Sequence, residues 1–486
     1  MKKILFGASI YGIQSFIFQT NKLKDIIGAS EIVKTVCDTI FKEEFLCNGK
    51  LIINAAGNIK CIYENEQECM NAVLKFPKRV MEYAPGISIS QAIVTLDKDY
   101  SDFNDACEIL EEKLHAQRNR PTKSINAGLI AINRSRTTGL PSTTIDSKDN
   151  NAFIDECTLS KRNAIGLNHD IELKLCSEMF GAHVKAKDIG LDLKDITGKN
   201  DWVAIIHIDG NGLGEVVSKI GQDPSRLREF SEKLDVATKN AAKQTCKEIF
   251  GSIESKQVYP IRPVLMGGDD LTVICRADIA FEFVQKYLRH FESESAHTNH
   301  KLSACAGIAY IKSSYPFHYG YKLAETLCGI AKTDAKSERI LESTHGEIPS
   351  CVMFHKVQSC FVENFNEIQR KELTPQQENY TYKYGPYYLK KTYDRPTIDD
   401  LKDIVSTLSK EENNNIKTAI REWLTLMAED ANIALQKNKR TMSQLNDSQK
   451  KIYDKSTKPT KRDDGKFHIP AYDILSLLTV ENQVTK

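Results

Sequence analysis

One order of elements is written twice in this chain, and that repetition limits the fold more than any other feature. Residues 3–9 read as a strand and 30–40 as a helix, with Ile32, Val33, Val36 and Ile40 at helical spacing. A hairpin follows across Ala55-Ala56-Gly57-Asn58, then a helix over 66–83, a strand over 87–96 and a helix over 102–117. The second copy opens with an apolar strand over 202–208 and a helix over 225–250 that lines Phe230, Leu234, Ala237 and Ala241 along one face. It continues through a hairpin at Gly267-Gly268-Asp269-Asp270, a strand over 302–311 and a helix over 319–336. Two strand–helix–hairpin–helix–strand–helix units predict an α+β fold with two ferredoxin-like domains.

The two hairpin tips differ in chemistry. In the second, Gly267 and Gly268 supply the backbone freedom of a tight turn, and Asp269 and Asp270 place two carboxylates at its tip. Adjacent acids repel unless a cation joins them, and a hard divalent ion takes oxygen ligands. The strand over 202–208 ends in Asp209-Gly210-Asn211-Gly212, so a third carboxylate stands where a glycine turn enters a helix. Backbone N–H groups of such a turn can face a triphosphate while Asp209 shares the metal with the hairpin acids. This is a nucleotidyltransferase pattern, because two-metal phosphoryl chemistry needs clustered carboxylates. The first tip, with Ala-Ala-Gly-Asn, carries no acid and is a degenerate partner.

Asp209-Gly-Asn-Gly, Gly267-Gly-Asp-Asp and Ala324-Glu-Thr-Leu-Cys-Gly-Ile-Ala-Lys332, in that order, resemble the catalytic palm of the large polymerase-like subunit of type III CRISPR complexes. Tyr11-Gly-Ile-Gln-Ser-Phe-Ile-Phe and Asn21-Lys-Leu-Lys-Asp-Ile-Ile-Gly-Ala-Ser-Glu resemble that family's first palm, and Arg136-Thr-Thr-Gly-Leu-Pro141 its inter-palm segment. Diguanylate cyclases share the Gly-Gly-Asp hairpin and the strand-end Asp, but not the N-terminal stretch. The resemblance fades in the C-terminal part. It implies four regions: a first palm at 1–120, a linking insertion at 121–200, the catalytic palm at 201–345, and a helical domain with a basic tail at 346–486. It also implies metal-dependent conversion of ATP to a cyclic nucleotide or cyclic oligoadenylate in antiviral defence. Two Mg²⁺ or Mn²⁺ ions would be held by Asp209, Gly210, Asp269 and Asp270. The triphosphate would be bound by Gly210, Asn211, Gly212, Gly267, Gly268, Lys332 and Lys336. Implied partners are CRISPR RNA and other type III effector subunits. No HD nuclease stands before the first palm in this sequence, so cleavage of single-stranded DNA is not expected.

Two other readings stay open: a non-catalytic RNA-binding scaffold subunit, and a dinucleotide cyclase of the diguanylate type that works as a homodimer. A net charge of +1 gives no global drive toward nucleic acid, so any basic surface must be local. Residues 113–144 hold six bases and no acid, and 437–462 hold nine bases against two acids. Both read as solvated, mobile segments, with RNA or triphosphate contact as the sharper alternative for 113–144 and RNA contact for 437–462. Thirteen cysteines without a Cys-x-x-Cys pair point to reduced thiols rather than disulfides or a zinc ribbon. No stretch reaches membrane-spanning length, and the expected location is the cytoplasm. Residues 142–160 read as loop, the tyrosines at 380–388 as an interface or core with base stacking as the alternative, and 397–408 and 411–435 as helices. His207 reads as a core histidine.

Overall fold

The computed structural model describes residues 3–55, 57–96, 103–120, 131–147, 149–166, 169–197, 201–221, 223–251, 259–358 and 364–481. A nearly continuous apolar run in β1 (Lys3–Tyr11) buries both of its faces, as suits a central strand. Helix α1 (Leu23–Thr35) follows and continues in wider π-type turns over Val36–Phe45. Then come β2 (Lys50–Ala55), β3 (Asn58–Tyr63), α2 (Glu66–Tyr83), β4 (Ser88–Leu96) and α3 (Phe103–Arg118). The sheet order is β2-β3-β1-β4, and β1 runs antiparallel to both neighbours, which is the ferredoxin-like arrangement. The first helix begins at Leu23, seven residues before the expected start.

The second unit repeats this plan with β5 (Trp202–Gly210), α4 (Leu213–Ile220), α5 (Pro224–Phe250), β6 (Ile261–Gly267), β7 (Asp270–Arg276), α6 (Ala277–Ser295), β8 (Ala304–Lys312) and α7 (Phe317–Ala335). Its strands follow the order β6-β7-β5-β8, the same as the first sheet. Beyond residue 345 the chain adds β9 (Cys351–Lys356), parallel to β8, and after β10 (Tyr380–Thr381) it adds β11 (Tyr387–Tyr388), antiparallel to β9. Tyr382, Tyr387 and Tyr388 are buried there, and Tyr380 and Tyr384 are half-buried beside them.

Between the palms, residues 142–160 are not plain loop. Thr144–Asp146 and Ala152–Ile154 pair as a hairpin, and Arg162 in the helix after it reaches Asp25 of α1 at 2.9 Å. Residues 121–130 of the basic run, Lys123 among them, lie outside the described residues.

Past residue 390 the described residues form five α-helices: α8 (Ile398–Ser409), α9 (Asn414–Glu429), α10 (Ala431–Gln444), α11 (Asp447–Thr457) and α12 (Ala471–Glu481). Thr397 caps α8 by accepting from Asp400 N–H at 3.0 Å. The helix expected over 411–435 breaks at Asp430, whose carboxylate accepts from Asn432 N–H at 2.7 Å and starts α10. The basic stretch 437–462 is folded. It forms the end of α10, all of α11, and β12 (Thr460–Lys461), which pairs with β13 (Phe467–His468). The twelve described cysteines are free thiols. Among the described residues no helix is long and apolar enough to cross a membrane.

One hydrophobic core runs through both palms into the C-terminal helices, so the two sheets are held in fixed relation. Helix α5 packs on β2 of the first sheet. The hairpin tips meet: a Cβ placed on Gly268 would lie 3.5 Å from Ala55 Cβ.

Candidate active site

The site forms where β5 ends beside the β6–β7 hairpin. Register pairs Ile208 with Leu271 and Gly267 with Asp270, so Asp209 at the next position stands across from Asp270. Gly268, with φ of +63°, turns the hairpin, and its carbonyl accepts the Thr238 hydroxyl of α5 at 2.5 Å. Asp269 then leans over the strand end. A Cβ on Gly210 would lie 2.8 Å from Asp269 Cβ, so only glycine admits this approach.

Three carboxylates thus converge in a half-buried place. Burial first, then the Asp209 charge and hydrogen bond, together raise Asp269 to about 7. Burial first, then repulsion from Asp269 and Asp209, raise Asp270 to about 8 against the opposing charge of Lys332. Glu325 of α7 is also pushed upward, by burial and by Asp209. Lys332 of α7 pairs with Asp209 at 2.5 Å and donates to Gly210 O at 2.8 Å. Lys336 caps the end of α7, exposed, one turn further on.

His207 is the residue that sequence reading placed in the core without a further role. It is buried and its Nδ1 meets Thr272 Oγ1 at 3.1 Å, yet ligand atoms of His207, Asp209 and Asp270 all lie within 4.8 Å of one another. Burial lowers its pKa to about 4, so the ring is neutral and able to ligate. The signal was strand alternation, because residues 207 and 209 share one face of β5.

This donor set suits a divalent cation. Buried acids that repel one another are costly alone, and a cation held by His207, Asp209 and Asp270 would relieve them.

Beyond the acids, Asn211 N–H donates to Ser303 O at 2.8 Å, and its side-chain amide donates to Ser303 Oγ at 3.0 Å. Asn211 Oδ1 is buried with no hydrogen-bond partner. Asn211 and Gly212 border a cavity of about 440 Å³ that Ser303, Ile348, Lys390 and Lys391 also line. On the other side of the hairpin, a cavity of about 310 Å³ separates the palms. Lys34, Asp38, Glu178, Asp235 and Lys239 line it, and they are ion-paired with one another at 2.6–3.4 Å.

Residues 202–341 match the model of the Cas10/Cmr2 second palm domain. No curated protein sequence matches the chain. Among solved structures, the chain is similar to one of a Csm1–Csm4 cassette in complex with cA4, with a TM-score of 0.62 and 14% identity over 99% of this chain and 70% of that one. It is also similar to a cassette in complex with one ATP (TM-score 0.58, 15% identity, 100% and 70% coverage). A Csm1–Csm4 subcomplex of the type III-A CRISPR-Csm interference complex gives TM-score 0.57 at 15% identity, with 100% and 70% coverage. At such identities the likeness is one of fold. Residues 202–341 thus match the Cas10/Cmr2 second palm domain, and they sit in a two-palm fold similar to that of these Csm1–Csm4 structures.

Proposed function

We propose that this chain is a metal-dependent nucleotidyltransferase that converts ATP to a cyclic nucleotide or cyclic oligoadenylate as a CRISPR-type defence signal. The observation that carries this reading is the convergence of Asp209, Asp269 and Asp270, with Asp269 and Asp270 both held far above the ordinary carboxylate range. A scaffold subunit has no use for acids that destabilise it, whereas bound cations relieve the repulsion.

Asp209, Asp269 and Asp270 would hold two Mg²⁺ or Mn²⁺ ions, with Gly210 O as a backbone ligand and His207 as an added donor. When bound, the ions supply charge stabilisation for phosphoryl transfer and lower the pKa of an attacking hydroxyl. The turn amides of Gly210, Asn211 and Gly212 would orient the phosphates, and Gly267 and Gly268 would hold the acids toward them. Lys332, which pairs with Asp209, would turn its charge to the outer phosphates. Lys336, one turn further, would add to that field. The cavity beside Asn211 suits a base, and the unpartnered Asn211 Oδ1 offers it an acceptor.

The contact of Gly268 with Ala55 favours an acceptor nucleotide held by this chain's own first palm, rather than by a second chain as in a diguanylate-type homodimer. CRISPR RNA and other type III effector subunits are the proposed partners, since the similar Csm1 chains are described with Csm4 and within an interference complex. The test is incubation of the purified chain with each labelled NTP and Mg²⁺ or Mn²⁺, with and without guide and target RNA, and resolution of products by mass. A cyclic product from ATP is expected. No product under any of these conditions would return the chain to the scaffold reading.

A further inference from the structure

A second charged groove lies on the far side of α7 from the catalytic acids. At 3.6 residues per turn, Asp334 stands roughly opposite Lys332 on that helix. Thr333 and Asp334 border a groove of about 920 Å³, closed on its other wall by Lys383, Arg395, Arg462 and His468.

Most of its charges are matched. Arg395 grips Asp334 with two bonds, at 3.0 and 2.8 Å, and Tyr388 donates to the same carboxylate at 2.7 Å. Arg339 pairs with Asp463, and His468 Nε2 lies 3.0 Å from Asp464.

Two cations are left over among the described residues. Arg462 is only 9% exposed, yet its Nε and Nη2 are buried without a hydrogen-bond partner. Its guanidinium lies over the Tyr384 ring, 4.8 Å from the centroid. Its backbone is pinned, with Arg462 N–H donating to Lys466 O at 3.0 Å. Lys383 is partly buried in the same wall, with Asp334, Asp464 and Arg462 acting on it only through space. A buried guanidinium with idle donors is costly, and a cation–π contact recovers only part of its lost hydration. A tetrahedral oxyanion matches the planar fork of an arginine and would take both idle N–H groups.

We propose that this groove is a second anion site, in which Arg462 and Lys383 bind a phosphate group. The group would be either a free phosphate ion or the phosphate of a nucleotide, for which the groove has room. The site needs no metal, and it uses none of the residues of the proposed catalytic centre.

The test uses the full chain carrying Asp269→Asn and Asp270→Asn, kept in EDTA, so that the metal-dependent site is silent. Inorganic phosphate and AMP are titrated separately by calorimetry. Binding of at least one is expected, weakened at least tenfold, about 1.4 kcal/mol, in both Lys383→Gln and Arg462→Gln. Affinity for AMP well above that for phosphate identifies a nucleotide as the source, and equal affinities identify the phosphate group alone. Lys383→Gln alters a partly exposed side chain and keeps the test valid if Arg462→Gln fails to fold. Absence of binding by both probes, or affinity unchanged in Lys383→Gln, would make Arg462 a purely structural arginine and overturn the proposal.

Discussion

The two palms place different chemistry at one geometry. In the first, Ser9 pairs with Asn58 across β1 and β3, and Ser9 Oγ donates to Asn58 Oδ1 at 2.8 Å. The corresponding positions in the second are Asp209 and Asp270, at the same distance from the same turn. Both hairpins close over two residues, and each turn holds a glycine at positive φ, Gly57 at +81° and Gly268 at +63°. The backbone is thus shared while the side chains diverge. One tip satisfies itself with a neutral hydrogen bond, and the other is left with repelling acids that call for a cation. A fold can keep its packing role after losing its ligands, and the electrostatics of the tip tells the two apart.

The largest expected effect breaks the second tip. Asp269→Asn with Asp270→Asn should abolish product while raising the melting temperature of the metal-free protein, since the lost groups repel one another in the fold. Turnover assays and thermal melts in EDTA read the two effects separately. A fall in both would mean that the acids are structural.

Next comes the first tip. Gly57→Leu meets Ile13 Cδ1 at 2.5 Å and sits at a φ costing on the order of 1–3 kcal/mol for a side chain. It should block synthesis without removing metal, and mixing it with an Asp269→Asn variant should restore nothing. Recovered activity on mixing would show a site built between chains.

Lys332→Ala should slow turnover by roughly ten- to thousand-fold, the range for losing one charge-stabilising contact. Unchanged kinetics would reduce Lys332 to a partner of Asp209. The smallest effect is Ser9→Ala, which removes one hydrogen bond worth about 1 kcal/mol. Denaturant melts should detect it, and metal binding should not change.

The sequence carried the palm order and the acid triad because strands, turns and carboxylates announce themselves locally. What it hid depends on tertiary contact. Gly28 sits inside α1, where a Cβ would come within 1.9 Å of Lys161 O, so a glycine that reads as a helix breaker marks a close approach of two backbones. Asp430 interrupts an apolar stripe that continues on both sides of it, and only its capping bonds reveal the break. Residues 437–462 looked mobile because their bases show little periodicity, yet Tyr453 and Arg462 are buried against the C-terminal elements. His207 looked like packing because alternation puts it on the same face of β5 as Asp209, but only the pairing with β7 brings Asp270 to that face.

The central claim is that acids at the second tip, and not the shared palm backbone, create a metal site. Titration of Mn²⁺ by electron paramagnetic resonance on the full chain tests it most directly. Two bound ions are expected in the wild type and in Ser9→Ala, and none in Asp269→Asn with Asp270→Asn. Unchanged Mn²⁺ binding in that double variant would contradict the claim.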